Sequence, residues 1–217
     1  MNTLAATFER AWAYFLARQP EFFQAVQDHL SLAGVALGFA LLVCVPLGIW
    51  TARSRFASLT VMNLVNGLRV LPSLAVLFLV VPYLGLSARS AAVALILLAM
   101  PPVLINTDAA FRTLDPAVRE AARGMGMSPL QALLKVEFPL ALPVILTGVR
   151  TATVEVLASA TLAAFVGSGG LGLYVTRGFA LYDYAILMVG AVPVALLTLA
   201  AEGGLAVLQR AAQPARA

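Results

Sequence analysis

Long apolar runs alternate along the chain with short gaps that hold most of the charge. Residues 30–50, LSLAGVALGFALLVCVPLGIW, contain no charged residue. At ~1.5 Å per residue, a helix of that length crosses the ~30 Å hydrocarbon layer of a bilayer. Comparable runs occupy residues 61–82, 90–106, 140–165 and 184–208, which predicts five spanning helices. Pro46, Pro72, Pro101, Pro102, Pro143 and Pro193 fall inside these runs. They are compatible with spans, because neighbouring helices and local backbone adjustment satisfy the groups a proline frees.

Before the first run, Phe8, Trp12, Phe15, Phe22, Phe23 and Val26 recur at roughly helical spacing among charged residues. This predicts an interfacial helix over residues 1–29, with His29 as a solvated interfacial side chain. Glu9, Arg10, Arg18, Glu21 and Asp28 interrupt the apolar core that a cleavable signal needs. Domain boundaries follow: 1–29 interfacial, 30–209 membrane domain, 210–217 tail.

Between the third and fourth runs, residues 108–139 form a polar loop with helix punctuation of their own. Asp115 suits an N-cap and Pro116 the first helical position, while Gly126 suits a left-handed C-terminal stop. Ser128, Pro129 and Gln131 read as the start of a second helix with a capping box. The first helix is slim, through Ala121, Ala122 and Gly124; the second carries an apolar stripe of Leu130, Leu133, Leu134 and Phe138. Such a pair fits either a groove on another protein or a lid on its own bundle, and spacing alone leaves both open.

Composition sharpens the class: 61% hydrophobic and 11% charged residues, with a mean hydropathy of +0.94, describe an integral membrane protein. The net charge of +4 lies in the gaps and orients the chain; it gives no ground for a nucleic-acid site. Eight basic residues (Arg53, Arg55, Arg112, Arg119, Arg123, Lys135, Arg210, Arg216) fall on one side of the five spans and four (Arg10, Arg18, Arg89, Arg177) on the other. The N-terminus is therefore expected outside and the loop and C-terminus inside. Cys44 stands alone in an apolar run, and with one histidine there is no metal set and no nucleophile with a base.

Polar residues inside spans mark either a pathway or a clamp between helices. In the second run Asn63, Asn66 and Arg69 lead toward Pro72 and Ser73; in the fourth Arg150, Thr151, Glu155 and Ser159 form a matching stripe. A pairing of Arg69 with Glu155 is one expectation, across a pathway or within a clamp. Gly167, Gly169 and Gly172 spell GxGxxG, but no strand precedes them and no acid follows at the distance a dinucleotide site needs. With Gly170 they predict a tight extracellular re-entry between the fourth and fifth spans. Trp50, Tyr83, Tyr174, Tyr182 and Tyr184 sit mostly at span ends, where an aromatic belt is expected, and define no cage.

Glu120, Ala121 and Ala122, then Gly126 after three residues, then Val136, Phe138 and Pro139, resemble the EAA motif of ABC-importer permeases. Val136 and Phe138 depart mildly from the usual isoleucine and leucine. The resemblance implies coupling helices that dock on a separate ATPase pair, with Met127, Ser128 and Pro129 in the docking turn. It also implies the all-α fold of the methionine-importer type. Over residues 29–208, "LRVLPSLAVL", "DPAVREAARGMGMSPLQALLKVEFPLALPVILTGVRTA" and "ATLAAFVGSGGLG" are similar to permeases of osmoprotectant importers. Implied with them are glycine betaine, choline or carnitine as solute, an external binding protein, a second permease chain and the bacterial cytoplasmic membrane. ATP and Mg would belong to the partner, since no GxxxxGK[ST] loop is present here and the chain itself is expected to catalyse nothing. The chain, closing at residue 217, is expected to lack the fused binding domain of some relatives. Methionine or another amino acid is the alternative solute. Secondary transport would call for repeats or matched broken helices, which the sequence pattern does not suggest.

Overall fold

The computed structural model describes residues 4–213, and among these every regular element is helical. Arg216 and the rest of the tail beyond residue 213 lie outside the described residues. α1 (Leu4–Ala17) folds back against α10 (Tyr184–Ala211). α2 (Gln19–Ala52) follows after a break at Arg18 and runs unbroken for 34 residues. The interfacial segment thus ends near residue 17, and residues 19–29 belong to the first spanning helix. Arg18 leaves the helical conformation, and Pro20, in the first turn, suits a new helix start. Phe15 and Phe22 meet edge to face across the break at 4.9 Å between ring centres, and Tyr14 and Phe22 both reach Tyr174.

The second predicted span is two helices rather than one. α3 (Arg55–Arg69) and α4 (Ser73–Leu84) meet at a 98° bend. Pro72 cannot donate to the ladder and takes an extended ψ of 137°, so α3 closes with short bonds from Val70 to Gly67 and from Leu71 to Leu68. A broken helix is therefore present, although one bent pair among the described residues is not the matched set that secondary transport would need.

α5 (Ala88–Arg112) is the central post of the bundle and packs on both α2 and α8 (Phe138–Ser159). It outlasts the predicted third run because Asp108 and Arg112, one turn apart, pair at 3.0 Å and carry the helix on. The polar loop begins after Arg112 rather than at Asp108. α2 meets α5 along small residues, Ala33, Ala36, Ala40, Cys44 and Gly48. A Cβ on Gly48 would lie 2.6 Å from Thr107, and one on Gly148 of α8 would lie 2.5 Å from the Pro102 carbonyl. Cys44 is fully buried in this seam, as its surroundings in sequence suggest.

α6 (Pro116–Gly124) and α7 (Pro129–Ala132) form the loop pair. A wide π turn, Leu133–Glu137, joins α7 to α8, so that Pro129–Ser159 is one helical run of 31 residues. α8 stops at Ser159, earlier than the fourth run suggests; a 3₁₀ turn, Leu162–Val166, and short α9 (Gly172–Ala180) lead to α10.

Candidate functional site: a capped loop pair and a polar chamber

Each punctuation signal in the loop is realised. Asp115 accepts from the Ala117 amide at 2.9 Å and Pro116 opens α6. Gly126 takes φ +76°, which brings the Met127 amide back to the Ala122 carbonyl and the Gly126 amide to Arg123. That two-bond closure is a Schellman motif. Ser128 and Gln131 complete a capping box. Ala122 and Ala132 are buried where the two helices pack, whereas Glu120, Ala121, Gly126, Ser128, Pro129 and Pro139 are exposed and Met127 is half-buried. Met125, Leu130 and Leu134 also present apolar surface to the outside. The pair is anchored to the bundle through Arg119 and Glu137 and keeps an exposed outer surface.

Pro139 explains the π turn. It cannot donate to the ladder and its ring crowds the preceding turn; the backbone widens just before it, with the Phe138 amide bonding five residues back to Leu133. In that widened turn Glu137 lies buried, 3.4 Å from Arg53 beyond α2 and 3.6 Å from Arg119 of α6. Arg119 also donates to the Phe111 carbonyl at 2.6 Å. One carboxylate thus ties the first loop helix, the second and α2 together. Sequence reasoning missed it, although a lone acid inside the Leu130–Phe138 apolar stripe was the available signal.

The second part is a cavity of about 240 Å³ between α3, α4, α5 and α8, lined by Arg69, Ser73, Glu155 and Ser159 with Leu68, Leu97, Leu98 and Pro101. Four of the predicted polar residues therefore come together. Pro72 sits beside them at the bend, while Asn63 and Asn66 are exposed on α3 and do not join the lining. Arg69 and Glu155 share the chamber without forming an ion pair, so the expected pairing is not made. Arg150 turns the other way, to Glu202 and Gln209 of α10, and Gln209 in turn donates to the Pro143 carbonyl at 2.9 Å. No aromatic ring lines the chamber; Tyr174 is buried against Tyr14 and Phe22, and Tyr83, Tyr182 and Tyr184 are exposed elsewhere.

At the far end of α8, Gly167, Gly169 and Gly170 adopt φ between +75° and +78°, and Gly172 opens α9. A Cβ on Gly172 would strike the Thr161 carbonyl at 2.1 Å, which fixes the tight turn. Below this turn lies His29. It is buried, not solvated: its Nε2 lies 3.1 Å from the Leu157 carbonyl, and Gly170 covers the ring. Its position follows from the early start of α2, which draws residue 29 into the bundle.

Apolar helices of spanning length around a polar chamber, with an ordered helix pair held outside them, define a polytopic membrane permease. Residues 44–213 match the family described as binding-protein-dependent transport system inner membrane component, and the chain belongs to that family. It is 39% identical to the choline transport system permease protein OpuBB of Bacillus subtilis (strain 168), over 87% of each chain. It is 37% identical to the glycine betaine/carnitine/choline transport system permease protein OpuCB of the same organism, over 86% of each. The permease of the MetNI methionine ABC transporter, in inward-facing crystals, superposes with a TM-score of 0.76 at 23% identity, covering 89% of this chain and 96% of that one. That last likeness establishes the fold. The protein is thus a multi-pass inner-membrane transport subunit.

Proposed function

We propose that this chain is the membrane-spanning subunit of an ATP-driven importer of small osmoprotectants such as choline, carnitine and glycine betaine. The observation that carries the reading is the exposed surface of the α6–α7 pair, which is capped and tied by Glu137 to the spans. A rigid, exposed pair of that kind transmits force from a partner; a loose loop would absorb it. Glu120, Ala121, Ala122, Gly126, Met127, Ser128, Pro129 and Pro139 form the surface or the frame offered to the ATPase, which supplies ATP and Mg. The solute class rests on the near full-length similarity to permeases named for choline, carnitine and glycine betaine.

Val144, Thr147, Thr151, Glu155 and Ala158 are exposed at helical spacing along α8. A small and polar stripe of this kind suits a second permease chain better than lipid. The chamber and this stripe would then flank a shared pathway, with solute delivered by an external binding protein. The loop end faces the cytoplasm and the N-terminus lies outside, in keeping with the uneven basic residues. ATP, by binding the closed ATPase pair more tightly, shifts the spans between outward and inward access.

The test is purification of the tagged chain in mild detergent from its own cells, followed by reconstitution into vesicles. A stoichiometric ATPase and ATP-dependent uptake of choline or glycine betaine are expected. A chain that purifies without any ATPase under conditions that hold other importers together would refute the proposal.

A further inference from the structure

This inference rests on the reading above and concerns which osmoprotectants the chamber itself passes. Arg69 on α3 and Glu155 on α8 line one cavity, and among the described residues neither makes an ion pair or a side-chain hydrogen bond. Their situation contrasts with other charged groups of the fold. Arg53 and Arg119 share Glu137, Arg112 has Asp108 and Arg150 has Glu202. Ser73 and Ser159, in the same lining, also lack a side-chain partner.

Both side chains are exposed on the single chain, beside the α8 stripe assigned above to a second permease chain. Once the spans lie in a bilayer, an unmatched cation and an unmatched anion there are costly unless something pairs with each. They form no ion pair with one another, and each side chain opens toward the same space. A molecule bearing both charges, separated by a short linker, complements that arrangement. We propose that the chamber is a transit site for zwitterions, in which Arg69 takes the carboxylate and Glu155 faces the quaternary ammonium.

The division of labour follows from the two groups. A guanidinium presents a planar fork matched to a carboxylate. A quaternary ammonium has no N–H to donate, so what it needs is charge and apolar contact; Glu155 supplies the first and Leu97, Leu98 and Pro101 the second. No ring is present to hold it by cation–π attraction, so the grip is weaker than an aromatic cage would give. Weak holding suits a site that must release its occupant. A solute with the ammonium and no carboxylate leaves Arg69 unmatched and meets its repulsion. The permease therefore selects by charge pattern, downstream of whatever the external binding protein admits.

The test uses the complete importer, with its ATPase and binding protein, in proteoliposomes. Maximal rates of glycine betaine and choline uptake are measured for the native chain, Arg69→Gln and Arg69→Lys. The betaine-to-choline ratio is expected to fall at least tenfold in Arg69→Gln and no more than about threefold in Arg69→Lys, with half-saturation unchanged. Should Arg69→Gln assemble too poorly to transport, Arg69→Ser is read by the same ratio. A ratio that stays within threefold of native without the guanidinium overturns the inference. So does a native importer that carries choline and not glycine betaine, an outcome that leaves the importer reading intact. ATP-dependent uptake of neither solute overturns both.

Discussion

Glu137 lies 3.4 Å from Arg53 across the junction between the loop pair and the spans, on a turn whose π geometry follows from Pro139. The same carboxylate oxygen is 3.6 Å from Arg119, so its loss leaves two guanidinium groups facing each other. Hydrogen bonds to charged groups are worth about 1.5–3 kcal/mol. Glu137→Gln is expected to leave ATPase binding in place while lowering solute moved per ATP hydrolysed several-fold. Both quantities are read in the same proteoliposomes, and an unchanged ratio would show that the clamp does not transmit force.

Gly126 separates backbone shape from surface fit. Its φ of +76° costs an ordinary L-residue about 1–2 kcal/mol, yet nothing lies within 4 Å of a Cβ placed there. Gly126→Asn, which tolerates that conformation, should therefore keep the fold, and Gly126→Val should fray the end of α6. The amount of ATPase co-purified per permease is expected to fall in the order Gly, Asn, Val. Equal recovery with all three would remove this turn from the docking surface.

Two glycines with opposite surroundings test the central packing. Gly148→Ala sets a methyl 2.5 Å from the Pro102 carbonyl on α5, and overpacking of this kind costs about 1–3 kcal/mol. Gly38→Ala on α2 meets nothing within 4 Å and should be neutral or slightly stabilising. Thermal unfolding in one detergent decides: Gly148→Ala melts several degrees lower than native, and Gly38→Ala does not.

Arg150 and Glu202 couple α8 to α10. Each single change, Arg150→Met or Glu202→Met, leaves a charge in a membrane-level site, whereas the double change removes both. The double variant is expected to recover part of the lost stability, with a coupling of about 0.5–3 kcal/mol. Strict additivity of the two losses would mean that the pair contributes nothing.

What the sequence made legible was local chemistry. Asp115, Gly126, Ser128 and Gln131 announced the loop pair because caps act over three or four residues, and the structure realises each of them. Four chamber residues were legible because a polar group among apolar neighbours is conspicuous at any distance. Partners were not: Arg69 and Glu155 share a lining without pairing, and Arg150 goes to Glu202, because such choices depend on how helices are rotated about their axes. The break at Pro72 escaped because proline inside a span is compatible with either a kink or a right-angle turn. His29 was misplaced for a related reason. Its fate depended on where α2 begins, and apolar content alone set that start eleven residues late.

His29 has a larger consequence than its own burial. It holds α2 to α8 at Leu157, while Arg53, just past the other end of α2, holds Glu137 at the foot of the same helical run. The two attachment points on that run are 20 residues apart, or ~30 Å at helical rise, roughly the thickness of the hydrocarbon layer. Rungs at both membrane surfaces make α2 and α8 a ladder that resists shear. On the proposed coupling role of the loop pair, such a ladder would carry a push delivered there to the opposite surface, leaving the α3–α4 elbow as the part of this chain that yields.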